Sequence, residues 1–251
     1  MSKLFALYIK FRYSTIDTIH KWHHIISSID YNNADVYIWM FEQEKKNIFL
    51  EEKIIALQDK YKNAIFISNC NQDTYLSEDD STFLKTFMNK SLISDNQKCI
   101  GESHLKAFLI PKNVEYIFKL DGDDMFYPTL KESHLYACID KMKSMDLNIM
   151  TRPFWAWRDH GWSFGFTVAK KNILDILKIN ELDIHYDEGM NKLRDTVFSD
   201  AGRVTNVDNL FGYILYTQNM SVSNVFFYIT DCKWENNKEN EFIDNNNCIK
   251  V

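Results

Sequence analysis

Between residues 4 and 120, short runs of β-forming residues alternate with stretches whose apolar residues recur at helical spacing. Leu4 to Phe11, Asp35 to Phe41, Ala64 to Ser68 and Tyr116 to Leu120 read as strands. Ser14-Thr15-Ile16-Asp17 is a capping box, and it predicts a helix carrying Ile16, Ile19, Trp22, Ile26 and Ile29 on one face. Glu51 to Tyr61 predicts a second helix, and Ser103 to Ile110 a third that Pro111 stops. Such alternation confines the chain to α/β folds, with a mostly parallel sheet flanked by helices.

The second half follows a looser pattern. Leu130 to Met142 predicts a helix and Leu147 to Thr151 a strand. An aromatic, glycine-containing stretch, Phe154 to Val168, leads to a predicted helix over Lys171 to Ile179. A polar segment, Asp183 to Asn206, precedes a helix around Asn209 to Thr217 and a last strand at Val225 to Ile229. From Glu235 the chain is rich in Asn and Lys, which reads as a solvated tail. With 251 residues, 45% of them hydrophobic, one large domain with a sizeable core is the expectation.

Charge and cysteine usage narrow the function classes. A net charge of -6 argues against sequence-independent nucleic-acid binding, which needs a basic surface. It is compatible with an anionic substrate brought in with a cation. The five cysteines (Cys70, Cys99, Cys138, Cys232, Cys248) contain no CxxC pair, so neither a disulfide framework nor a zinc site is read. There is no signal-peptide layout at Met1-Ser2-Lys3-Leu4 and no apolar run of membrane-spanning length. The expected location is cytoplasmic, with no transmembrane segment and with peripheral membrane contact left open.

The strongest local feature is Leu120-Asp121-Gly122-Asp123-Asp124, three carboxylates directly after a strand. Open parallel sheets bind ligands just beyond the carboxyl ends of their strands. Concentrated negative charge there repels itself unless a cation neutralises it. Hard cations are held by one or two carboxylates together with substrate phosphates. Asp121 and Asp123 can face one cation if Gly122 permits the turn between them. A solvated acidic turn is the plain alternative. An EF-hand fails because Phe126 takes the obligatory glycine position and Pro128 breaks the loop. A strand-DxD phosphatase would make Asp121 a nucleophile and Asp123 a general acid. It is disfavoured by Met125, where that motif wants Thr or Val, and by the four β/α signals that precede the loop.

Gly101-Glu102-Ser103-His104-Leu105-Lys106, then Glu115-Tyr116-Ile117-Phe118-Lys119-Leu120-Asp121-Gly122-Asp123-Asp124, then Pro128, resembles family 2 glycosyltransferases. The close match covers about thirty residues of the chain. The resemblance implies a GT-A fold, with a nucleotide-sugar-binding half over 1–128, an acceptor-binding half over 129–234 and the polar tail over 235–251. It further implies Mn²⁺ or Mg²⁺ and a nucleotide-diphosphate sugar donor, a UDP-sugar being favoured. Asp123 would hold the metal, and Asp121 would contact the ribose or reach the metal through water, with Asp124 beside them. Lys106 stands where the family has an arginine near the donor; it supplies charge but not a bidentate fork. The family's base- and ribose-binding turns are replaced here by Phe11-Arg12-Tyr13-Ser14 and Met40-Phe41-Glu42-Gln43, which puts Arg12 and Glu42 at the nucleoside.

Arg152 to Arg158 and Trp162 to Phe166 form an aromatic cluster. Sugar faces stack on such rings, Trp162 is a candidate donor contact, and Gly165 lets backbone approach a sugar closely. Core packing is the competing account of the same residues. An inverting transfer needs a carboxylate to take the acceptor hydroxyl's proton. Asp208, opening the helix at Asn209, fits that layout, with Asp187 and Glu188 the second choice; an ordinary helix cap is the rival for Asp208. A glycan, a lipid-linked precursor or a protein is the expected acceptor. The competing functions are a nucleotidyltransferase and a non-catalytic nucleotide- or carbohydrate-binding protein. The former wants a glycine- and base-rich loop after the first strand, which this chain lacks.

Overall fold

A computed structural model of the chain describes residues 2–41, 48–68, 71–90, 95–122, 130–152, 163–177, 211–212, 214–215 and 223–224. The elements run β1 (Lys3–Arg12), a 3-10 helix (Tyr13–Trp22), α1 (His23–Ser28), β2 (Ala34–Phe41), α2 (Ile48–Lys60) and β3 (Ile65–Ser68). A 3-10 turn (Gln72–Thr74), α3 (Glu78–Lys90), α4 (Asp95–Leu109), β4 (Val114–Asp121) and α5 (Glu132–Ser144) follow. The last described elements are β5 (Ile149–Arg152), β6 (Ser163–Lys170), α6 (Ile173–Ile176) and β7 (Ser223–Asn224).

One seven-stranded sheet carries them in the order β3-β2-β1-β4-β6-β5-β7. β1, β2, β3 and β4 are mutually parallel, as the alternation predicts. β6 runs antiparallel between β4 and β5, so the sheet is mixed. The parallel strands are near-continuous apolar runs because helices cover both of their faces. Phe5, Leu7, Ile9 and Phe11 of β1 face the 3-10 helix, α1, α2 and α5, where Ile16, Ile19, Trp22, Leu135, Cys138 and Met142 are buried. Ala6 and Tyr8 face the opposite way, toward Leu84 and Phe87 of α3 and Leu105 and Phe108 of α4. At about 1.5–3 kcal/mol for each large apolar side chain buried, these two layers hold the sheet.

Several elements depart from the sequence expectation, and α4 begins at Asp95 rather than at Ser103. The helix opened by Ser14 is a ten-residue 3-10 helix, and only its continuation from His23 is α-helical. α3 is not among the predicted helices; its first turn carries Glu78, Asp79 and Asp80, yet Leu84, Phe87 and Met88 are buried. The glycine-containing stretch supplies a strand, β6, from Ser163 onward. The strand expected at Val225 to Ile229 lies outside the described residues.

Candidate functional site at the carboxyl edge of β1 and β4

On the sheet face beneath α4, polarity rises toward the carboxyl edge of the parallel strands. Deepest is an apolar row of Ala6, Ile117, Ala169 and Ile149. The next same-face row runs Tyr37, Tyr8, Lys119, Thr167, Thr151 across paired strands. The last runs Trp39, Lys10, Asp121. Strand order reverses between β1 and β4, where β1 ends at Arg12 and β4 at Asp121. Such a switch point is where open α/β sheets bind ligands.

Two lysines hold the Asp121 carboxylate from below. Lys119 is completely buried, and its Nζ lies 2.5 Å from Asp121 Oδ1. Nζ of Lys10, also buried, lies 4.0 Å from the same oxygen. From α4, His104 Nε2 lies 3.4 Å from Lys10 Nζ. An ammonium only donates, so Nε2 is the acceptor and the neutral ring carries its proton on Nδ1. Burial, then the charges of Lys10, Lys119 and Arg12, hold His104 well below the usual imidazole range. His104 is therefore a neutral lid over a charged layer. Tyr8 Oη and Trp39 Nε1 are buried with no hydrogen-bond partner among the described residues. A buried water or a ligand oxygen satisfies groups of this kind, which otherwise cost about 1–3 kcal/mol each.

Gly122 turns the chain out of the sheet. Its N–H donates to the Lys10 carbonyl at 2.6 Å. Its carbonyl accepts from Trp22 Nε1 at 2.9 Å and from Thr18 Oγ1 at 3.0 Å. A Cβ at this position would lie 2.2 Å from the Phe11 ring, so only glycine fits.

Of the residues singled out from sequence, Arg12 is exposed at the end of β1, and Asp121 ends β4 opposite Lys10, two residues before Arg12. Leu120 pairs with Phe166, so the next step of that register sets Gly165 next to Asp121. Lys106 shares the face but not the place. Its Nζ donates to Gln72 Oε1 at 2.7 Å and lies 5.3 Å above the Trp39 ring, on the far side of Lys10 from Asp121. The strand that carries Trp39 lies two strand spacings, roughly 10 Å, from that of Asp121. Burial pulls its pKa down, and Glu102 and Asp73 pull it back up. Glu42, Asp123, Asp124, Trp162, Asp187, Glu188 and Asp208 lie outside the described residues.

The described donors suit a hard cation in kind. Mg²⁺ and Mn²⁺ take carboxylate oxygens together with substrate phosphates, and Asp121 offers such oxygens at the sheet edge. With Lys119 on Oδ1, Asp121 matches the indirect role, through water or ribose, better than direct ligation by that atom. Among the described residues no group of three or more His, Cys, Asp or Glu forms a metal cluster. Lys10 and Lys119 escaped the sequence reading. Their signal is a lysine directly after an apolar run, close to the carboxyl end of each strand.

No protein-family model matches the chain, and no curated protein matches it. Among the described residues no helix is long and apolar enough to cross a membrane.

Proposed function

We propose that the chain is a metal-dependent, inverting glycosyltransferase of the GT-A kind, acting in the cytoplasm. It moves a sugar from a nucleotide-diphosphate donor, a UDP-sugar by preference, to a hydroxyl of a glycan, lipid-linked or protein acceptor. The observation that carries the reading is Asp121, paired with Lys10 at the point where strand order reverses, the place such sheets offer to a ligand.

In this reading Asp123, with Asp121 through water, would hold Mn²⁺ or Mg²⁺. The cation supplies positive charge where the leaving nucleoside diphosphate becomes more negative. Arg12, exposed at the end of β1, meets the nucleotide as it docks. Lys119 and Lys10 pair with the Asp121 carboxylate and fix its direction. Asp208 takes the acceptor hydroxyl's proton as the bond to the anomeric carbon forms. The backbone at Gly165 lets the sugar approach the Asp121 edge closely.

A thermal-shift panel of UDP-, GDP-, CMP- and dTDP-sugars, with and without Mn²⁺, tests this on wild type and Asp123→Asn. At a hundredfold excess over Kd, a donor adds about 2.7 kcal/mol of stability. The expected result is stabilisation by a UDP-sugar with Mn²⁺ that disappears in Asp123→Asn. Stabilisation by no nucleotide in either protein would end the transferase reading. Donor binding with no sugar transfer or donor hydrolysis would leave a binding protein on the same scaffold.

A further inference from the structure

β3 is the outermost of the described strands at its end of the sheet, and a side chain already lies along it. The Asn71 carboxamide bridges two backbone groups of β3. Its Oδ1 accepts the Ser68 N–H at 2.8 Å, and its Nδ2 donates to the Phe66 carbonyl at 3.1 Å. The backbone groups of alternate residues in a strand point to the same side. Phe66 and Ser68 are alternate residues, so Asn71 lies along one side of β3 while β2 pairs along the other. A residue of a neighbouring parallel strand would make the same two bonds, to the carbonyl of one residue and to the N–H of the residue two further on. A side-chain amide offers the same donor and acceptor as a peptide group.

From this geometry we infer that Asn71 is a plug on the edge of the sheet: it stands where a further strand would pair and keeps out β3 of a second copy of this chain. The inference is independent of the transferase reading. Three observations carry it. First, both bonds fall on the groups that an added strand would use. Second, Asn71 stands directly before the 3-10 turn Gln72–Thr74, where an Asn side chain ordinarily caps the N–H groups of the turn. It makes no capping bond there and turns back to β3 instead. Third, Ala64-Ile65-Phe66-Ile67-Ser68 contains neither the charge nor the proline that commonly protects an edge. Uncharged segments rich in β-formers pair with their own kind, which makes a second β3 the occupant to be excluded.

The plug is itself held. The Asn71 N–H donates to the Ser68 carbonyl at 3.2 Å, and its own carbonyl accepts the Thr74 N–H at 3.1 Å. Gln72, the next residue, accepts from Lys106 Nζ of α4 at 2.7 Å. The carboxamide therefore stands on a turn fastened both to the strand it covers and to α4.

Sedimentation velocity from low to high protein concentration tests this, with circular dichroism to confirm that each variant folds. The proteins are wild type, Asn71→Ala, and Asn71→Ala combined with Ser68→Pro. Asn71→Ala is expected to self-associate at least tenfold more tightly than wild type. Proline at position 68 removes the N–H that Asn71 covers and leaves the β2 side of the strand in place, so the double variant should return to the wild-type level. Should the proline variant fail to fold, Asn71→Ala with Ile65→Lys puts a charge on the same strand and serves in its place. Should Asn71→Ala itself fail to fold, Asn71→Ser, whose hydroxyl replaces the two-sided bridge, carries the same comparison. A folded Asn71 variant that associates no more than wild type would overturn the inference, leaving the side chain a role in closing the turn alone. Association that persists in the proline or lysine variant would overturn it too, because the contact would then lie away from β3.

Discussion

Lys119 and Asp121 sit two residues apart on the same face of β4 and close an ion pair of 2.5 Å, with the lysine fully buried and the aspartate side chain 26% exposed. The asymmetry makes the pair's two halves unequal. Replacing Asp121 by Ala takes the carboxylate away from an ammonium that water cannot reach, which costs about 3–5 kcal/mol. Replacing Lys119 by Met leaves a carboxylate that water reaches and that Lys10 still faces, so the loss is smaller, about 1–3 kcal/mol. In urea denaturation the double variant is expected to be more stable than Asp121→Ala alone. Equal losses for the two single variants would show that the pair is not buried on the lysine side.

The Gly122 turn makes a steric prediction. No described glycine has a positive φ, so the position does not demand glycine for its backbone angles. It demands space, since an added Cβ meets Phe11 Cδ1 and Cε1 at 2.2 Å. Gly122→Ala is expected to lose about 1–3 kcal/mol from overpacking. Phe11→Leu in the same chain should recover part of that loss, although alone it destabilises. A Gly122→Ala protein as stable as wild type in urea would contradict the placement.

The parallel half of the fold is legible in the sequence because its strands are buried on both faces and read as unbroken apolar runs. Those four strands fall within two residues of their expected bounds. α3 is less legible: its acidic first turn hides the apolar residues Leu84, Phe87 and Met88 behind it. β6 lies in a stretch whose aromatic residues also fit a sugar-stacking surface. A capping box marks where a helix begins, not whether its turns are α or 3-10, so Ser14 announces the helix but not its kind. At the site, Asp121 is visible because acids cluster after a strand. Lys10 and Lys119 are not, because a lone lysine in a strand normally points to water. Only the pairing of β1 with β4 turns both toward one buried layer.

Acid should loosen the fold through His104. Its folded-state pKa lies well below the ordinary imidazole value of 6.5, chiefly from burial. The ring's contribution to stability is complete above pH 6.5 and declines as pH falls below it, because the unfolded chain takes up the proton first. Wild type is expected to lose stability progressively below pH 6.5 in urea titrations. His104→Gln, which keeps a hydrogen-bond acceptor for Lys10 without the titration, should show a flatter profile between pH 6.5 and 5. Matching slopes in the two proteins would mean that the imidazole is charged in the folded state.

Alkali should do the reverse through Lys171, at the opposite edge of the sheet. Its side chain is partly buried and donates to the Phe108 carbonyl. Burial, with the nearby Lys112 charge, brings its pKa from 10.5 to about 8, against the opposing pull of Asp80 and Asp175. Below about pH 8 both folded and unfolded chains carry the charge, and the folded state bears its desolvation. Between pH 8 and 10.5 the unfolded chain holds the proton more tightly, so stability rises with pH. Above pH 10 the buried tyrosines oppose this, since burial raises Tyr8 and pushes Tyr37 up to about 12. The window that isolates the lysine is therefore pH 8 to 10. The difference between wild type and Lys171→Met in urea midpoint is expected to grow in favour of wild type across that window, while titrations common to both proteins cancel. A difference that stays constant over it would place the ammonium in water rather than against the α4 carbonyl.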